Sequence, residues 1–101
     1  MWLKVLSMFK IKIHPVRSSR KNDYKFEEDQ IYVNGIKYDL SEINGFKNGD
    51  ELGSEHIISV NRENNDLYVT LVYYHQTPNA HFKDLEYMSE DEFLEMLNNE
   101  D

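Results

Sequence analysis

From Met8 to Val16 the chain alternates apolar and polar positions. Phe9, Ile11 and Ile13 fall on one side; Lys10, Lys12 and His14 fall on the other. A period of two marks a strand with one buried face. Pro15 offers no N–H to a ladder and is expected to end that strand. The polar run "RSSRKND" reads as a loop, and Tyr24 and Phe26 in "YKFEED" predict a short strand. In "IYVNGIKYDLSEI" the pair Asn34-Gly35 is a strong signal for a tight hairpin, because both central residues of a type I′ turn need positive φ. That turn sets Val33 opposite Ile36, Tyr32 opposite Lys37 and Ile31 opposite Tyr38. Ile31, Val33, Ile36 and Tyr38 then share a face, so turn and pattern agree on register. Asp39 or Ser41 is placed to cap a single turn that lays Leu40 and Ile43 on the sheet.

"NGFKNGDELGS" reads as a glycine-rich loop. The stretch "HIISVNRENNDLYVTLVYYHQ" predicts a second hairpin, turning at Asn64-Asn65 and pairing Val60 with Val69 and Ile58 with Leu71. Leu67 and Tyr73 join those four on an apolar face, while Tyr68, Thr70, Val72 and Tyr74 line the other. After the loop "TPNAHFKDLEYM", "SEDEFLEMLNNED" opens with Ser89 and, three residues on, Glu92, which is a capping box. Acids in the first turn suit the helix dipole, and Phe93, Leu94, Met96 and Leu97 form a narrow apolar stripe. The pattern predicts an α+β fold, mostly β: a twisted antiparallel sheet of four to five strands built from two hairpins, with one C-terminal helix over 89–98. The expected core is Phe9, Ile11, Ile13, Val33, Ile36, Ile58, Val60, Val69 and Leu71.

The 101 residues suffice for one domain with a modest core. The apolar start "MWLKVLSMFKIKI" is broken by Lys4, Lys10 and Lys12, so a membrane span is not expected, and without a small-residue cleavage site after an apolar run neither is a cleaved signal. Met8 is an alternative start, leaving 1–7 as a leader outside the core. The expectation is a soluble, cytoplasmic protein. Absence of cysteine removes disulfides, thiolate metal sites and cysteine nucleophiles.

Charge divides the chain. Residues 1–25 carry seven Lys/Arg against Asp23 alone, a balance of +6, and the rest carry four against eighteen acids, a balance of −14; together these give −8. Six of the acids, Asp84, Glu86, Glu90, Asp91, Glu92 and Glu95, fall within twelve residues. On a helix Asp91 and Glu95 share a face, and like charges four apart repel. Such a face suits a Lys/Arg-rich partner, with Tyr68 or Tyr74 as apolar anchor. Direct nucleic-acid binding is disfavoured, because Lys10, Lys12, Arg17, Arg20 and Lys21 are few and the remaining charge repels a duplex.

Chemistry has little support. His14, His56, His75 and His81 lack the helical spacing of zinc ligands. His75 and His81 are merely near in sequence. Ser54 in "GSEH" lacks the flanking glycines of a nucleophile elbow. Gly45, Gly49 and Gly53 lead towards a strand rather than a phosphate-binding helix. No carboxylate pair is singled out for acid–base work. Neither enzyme, metal nor cofactor is expected.

Three segments, "MFKIKIHPVRS", "IYVNGIKYDLSEI" and "ISVNRENNDLYVTLVYYHQTPNA", together resemble small uncharacterised proteins encoded near tail-fibre genes of Mu-like and lambdoid phages and prophages. The shared positions are Pro15 and Arg17, Val33 to Ser41, and Pro78 to Ala80. The resemblance covers about two thirds of the chain and brings no catalytic residue with it. After Ala80 an acidic helix replaces the short proline-bearing tail of such proteins. The resemblance implies a phage-derived binding protein in a bacterial host cell. One role is an acidic, anti-CRISPR-like inhibitor of a host defence or nucleic-acid-binding protein; the alternative is a tail or tail-fibre assembly accessory.

Overall fold

The computed structural model describes residues 8–76 and 86–98. Its elements, in chain order, are β1 (Phe9–Arg17), β2 (Tyr24–Glu27), β3 (Gln30–Val33), β4 (Ile36–Asp39), β5 (Phe46–Asn48), α1 (Gly49–Leu52), β6 (Ile57–Glu63), β7 (Asp66–His75), β8 (Met88–Ser89) and α2 (Glu90–Asn98). The mostly-β α+β class with a C-terminal helix is the class observed. The strands form two sheets rather than one: a five-stranded sheet ordered β5-β6-β7-β1-β8 and a three-stranded sheet ordered β2-β3-β4. Pairing is antiparallel except at the centre of the larger sheet, where β1 runs parallel to β7 from Phe9↔Leu67 to Arg17↔His75.

β1 does not stop at Pro15, which pairs with Tyr73. Ser18 donates its N–H to His75 and Met8 accepts from Leu67, so even-numbered positions of β1 bond towards β7. The missing N–H of Pro15 therefore falls on the other edge. There β8 reaches only Lys10 and Ile11, and among the described residues no ladder is interrupted.

The first hairpin has the expected register, with Val33↔Ile36 and Ile31↔Tyr38, and Asn34 and Gly35 take φ of 52° and 85°. Ile36 is nonetheless 59% exposed, because β4 is the outer strand of the small sheet. Asp39 caps the following turn as an acceptor for the Ser41 N–H, at 2.9 Å; the turn is a single bend, closed from Ile43 N–H to Leu40 carbonyl, not a helix. That bond holds the Asp39 carboxyl below its ordinary pKa.

In the second hairpin, Val60 faces Val69 as expected, but Ile57 rather than Ile58 faces Leu71. A bulge between Ile57 and Ser59 inserts one residue, which turns Ile58 outward (41% exposed) and buries Ile57. The segment read as a plain loop holds β5 and the single-turn α1. There the Glu51 carboxylate accepts from the Asn48 N–H, and Gly53, at φ 71°, closes the turn. Gly49 is buried against the Ile57 carbonyl, with no room for a Cβ.

One face of the large sheet presents Phe9, Ile11, Ile13, Ile57, Val60, Leu67, Val69, Leu71 and Tyr73. Tyr24, Phe26, Ile31 and Val33 of the small sheet close over it, together with Leu40, Ile43 and Phe93. Phe93 meets Tyr24 and Phe26 edge-on, with centroids 5.4 and 5.9 Å away. The Tyr24 hydroxyl donates to the Val72 carbonyl at 2.6 Å, and burial pushes its pKa far above that of a free phenol. Arg62 closes the other end of the junction. Its Nε donates to the Ile43 carbonyl at 2.8 Å and its terminal nitrogen to the Leu40 carbonyl at 3.1 Å, while the Asp29 carboxylate lies 3.5 Å away as an ion pair.

Candidate functional site

α2 begins directly after β8, so Ser89 ends a strand and caps a helix at once. Its Oγ accepts from the Glu92 N–H at 3.2 Å and donates to the Glu92 carboxylate at 3.3 Å. Sequence pattern alone would have the carboxylate reach the Ser89 backbone; here it takes the hydroxyl, and Ser89 is a ladder partner of Lys10. Phe93 points inward and is fully buried, with Leu94, Met96 and Leu97 partly buried beside it. The opposite side carries Asp91, Glu92 and Glu95, all exposed. Among the described residues no basic side chain forms an ion pair with Glu90, Asp91, Glu92 or Glu95, and the last turn of α2 holds no base. The Glu90 carboxyl is raised above its ordinary pKa, first by partial burial and then by the charge of Asp91. Glu86 is exposed just before β8. Asp84 lies outside the described residues, as do His81 and 1–7.

The two tyrosines are not brought together. Tyr68 pairs with Lys10, which pairs with Ser89, so three adjacent strands set Tyr68 roughly 10 Å from the start of α2. Tyr74 lies six residues further along β7, roughly 20 Å from Tyr68. Neither is covered by α2, which packs on the other face. Tyr68 meets Tyr87 edge-on at 5.1 Å, and the Lys12 ammonium stands 5.9 Å from the Tyr87 ring. Tyr74 carries the Arg20 guanidinium at 5.0 Å and His56 edge-on at 5.9 Å; Glu55 pairs with Arg20 at 3.7 Å. Tyr87 was not among the residues singled out from sequence; Arg20 entered there only as one of five basic residues weighed against phosphate, and His56 only as one of four histidines weighed against zinc. Tyr87 lies in the stretch "TPNAHFKDLEYM" that was read as a loop.

A cleft of about 350 Å³ opens between the loop after β1, the end of β7 and the end of α2, with Arg20, Lys21, Asn22, Tyr24, Tyr73 and Leu97 on its walls. Within it Asn22 donates to the Tyr24 hydroxyl at 3.1 Å. Among the described residues no cluster of three or more His, Asp or Glu side chains is arranged to hold a metal. None of their helices is long and apolar enough to cross a membrane. No protein family, curated protein or solved structure matches the chain.

Proposed function

We propose that the protein is a non-catalytic binding protein whose acidic helix docks on a basic protein surface. The observation that carries this reading is the outward side of α2, where Asp91 and Glu95 stand four apart and exposed without a basic ion-pair partner among the described residues. Like charges at that spacing cost a few tenths of a kcal/mol, a cost that a basic partner would reverse. Glu86, Glu90 and Glu92 extend the same charge around the start of the helix, and Tyr68 lies one strand beyond Lys10, near enough to meet the partner's apolar rim; Tyr74, at the far end of β7, lies outside such a footprint. With the phage resemblance, the reading becomes an inhibitor of a host defence or nucleic-acid-binding protein. The resemblance alone favours the second reading, a tail-fibre assembly accessory.

The test begins with capture of partners from host and phage lysates. Affinity for a captured protein is then measured against salt for wild type and for Asp91→Lys with Glu95→Lys. Glu92 is left alone because it serves the Ser89 cap. The double reversal should weaken binding at least tenfold and flatten its salt dependence. Affinity and salt dependence that survive both changes would remove the helix from the interface.

A further inference from the structure

The face of the large sheet turned away from the core has a character opposite to that of α2. Pairing builds it in rows: Phe46, Asn61, Tyr68 and Lys10 in one, Asn48, Ser59, Thr70 and Lys12 in the next, then Val72 and His14. Tyr87 stands over the first two rows against Tyr68 and Lys12, itself 48% exposed, and Arg20 lies over Tyr74 at the far end. No carboxylate occupies those rows. Among the described residues the nearby acids flank those rows: Glu63 and Asp66 make the next row, at the hairpin turn, Glu86 precedes Tyr87, and Glu55 pairs with Arg20. The overall charge of −8 is therefore segregated, with the acids of α2 lying beyond the sheet edge. The start of α2 adjoins Lys10 through Ser89, whereas the acids further along the helix lie beyond it, and exposed charges further apart than about 8 Å are largely screened at physiological salt.

We infer that this face binds a short stretch of single-stranded nucleic acid, with bases against Tyr87 and Tyr68 and phosphates on Lys10, Lys12 and Arg20. An acidic peptide would need only the cations. The tyrosine rings among them, with amide and hydroxyl groups from Asn61, Ser59 and Thr70, match stacked bases with polar edges. A duplex keeps its bases from the rings. The span from Tyr68 to Tyr74, roughly 20 Å, suits two or three bases, as on other sheet platforms. The inference does not rest on the acids of α2, and it shares only Tyr68 with the docking role proposed for that helix.

Fluorescence anisotropy of a labelled oligothymidylate of about eight nucleotides, a length within known site sizes, tests this in low salt. Binding should weaken with salt at a log–log slope of about −1.4 to −2.1, the value for two or three phosphates on a single strand. Lys10→Glu with Lys12→Glu should abolish it. Tyr87→Ala should weaken it roughly 5- to 150-fold, whereas Tyr87→Phe should retain it. Asp91→Lys with Glu95→Lys should leave it intact, which separates this face from the helix. Circular dichroism confirms that each variant keeps its fold. Absence of binding, or binding indifferent to both the lysine and Tyr87→Ala changes, overturns the inference. Displacement by polyglutamate as effective as by unlabelled oligonucleotide would also overturn it, and would assign the face to an acidic protein.

Discussion

Replacing Arg62 with Met should separate the two sheets energetically. The guanidinium makes three contacts at once: Ile43 carbonyl at 2.8 Å, Leu40 carbonyl at 3.1 Å and the Asp29 carboxylate at 3.5 Å. Its side chain is 17% exposed and that of Asp29 24%, so little water stands ready to replace it. Methionine fills much of the same volume but leaves two carbonyls without their donor and a carboxylate without its counter-charge. Breaking one half of a largely buried pair typically costs about 3–5 kcal/mol, a large share of the ~5–15 kcal/mol that holds a domain of this kind together. Lysine keeps the charge, yet a single ammonium cannot reproduce a planar fork on two carbonyls; Arg62→Lys should cost about 1–2 kcal/mol, one charge-assisted hydrogen bond. Urea unfolding followed by circular dichroism reads both. With a slope of about 1–3 kcal/mol per molar, the midpoint of Arg62→Met should fall by roughly 1–5 M. In a double-mutant cycle, Asp29→Asn should recover part of the loss, with a coupling of about 0.5–3 kcal/mol. A midpoint within about 0.3 M of wild type for Arg62→Met, well short of the expected shift, would show that the fork is incidental and that apolar packing alone joins the sheets.

Two other perturbations test distinct parts of the fold. Gly49→Ala places a methyl on the Ile57 carbonyl and should cost about 1–3 kcal/mol through backbone displacement; an unchanged thermal midpoint would mean that α1 shifts freely. Glu90 has a raised folded-state pKa, from burial first and Asp91 second, so the native state holds its proton more tightly than the unfolded chain. The stability this group contributes is therefore full below the unfolded value and lost as pH rises through the raised one. Glu90→Gln removes that dependence, so the midpoint of the variant relative to wild type should rise between about pH 4 and pH 7; a difference constant across that range would refute the assignment.

Local chemistry was readable wherever turn and pattern carried the same message. Asn34-Gly35 set its hairpin to the residue, and Ser89 with Glu92 marked the start of α2. Asn64-Asn65 also placed its turn, with both residues at positive φ, but the bulge at Ile58 has no signature in "HIISV", where either isoleucine could face the core. Pairing of β1 with β7 was hidden because parallel neighbours share no turn. Ile36 kept the right register and still met water, since register does not say how far the opposing sheet extends. α1 and β5 were obscured by glycines whose spacing resembles that of a loop. In the candidate site, the acids of α2 were legible from helical period alone. The separation of Tyr68 from Tyr74, and the meeting of Tyr68 with Tyr87 and Lys12, depended on long-range pairing.

The parallel seam at the centre of the large sheet also sets an order of events. Met8 and Asp66, joined at its start, are 58 residues apart in the chain, and both neighbours of β1 come from the second half of the sequence. Contacts of such separation incur a loop-closure penalty before they return any energy, which slows folding. During synthesis, β1 leaves the ribosome as an apolar-faced strand with two open edges, and it stays so until β7 has been made. The small sheet, whose hairpins close locally, is free to assemble in the meantime and lacks only its platform. The alternating lysines of β1 acquire a second use in that interval, because charge along an open edge is what keeps an unpaired strand from joining the wrong one.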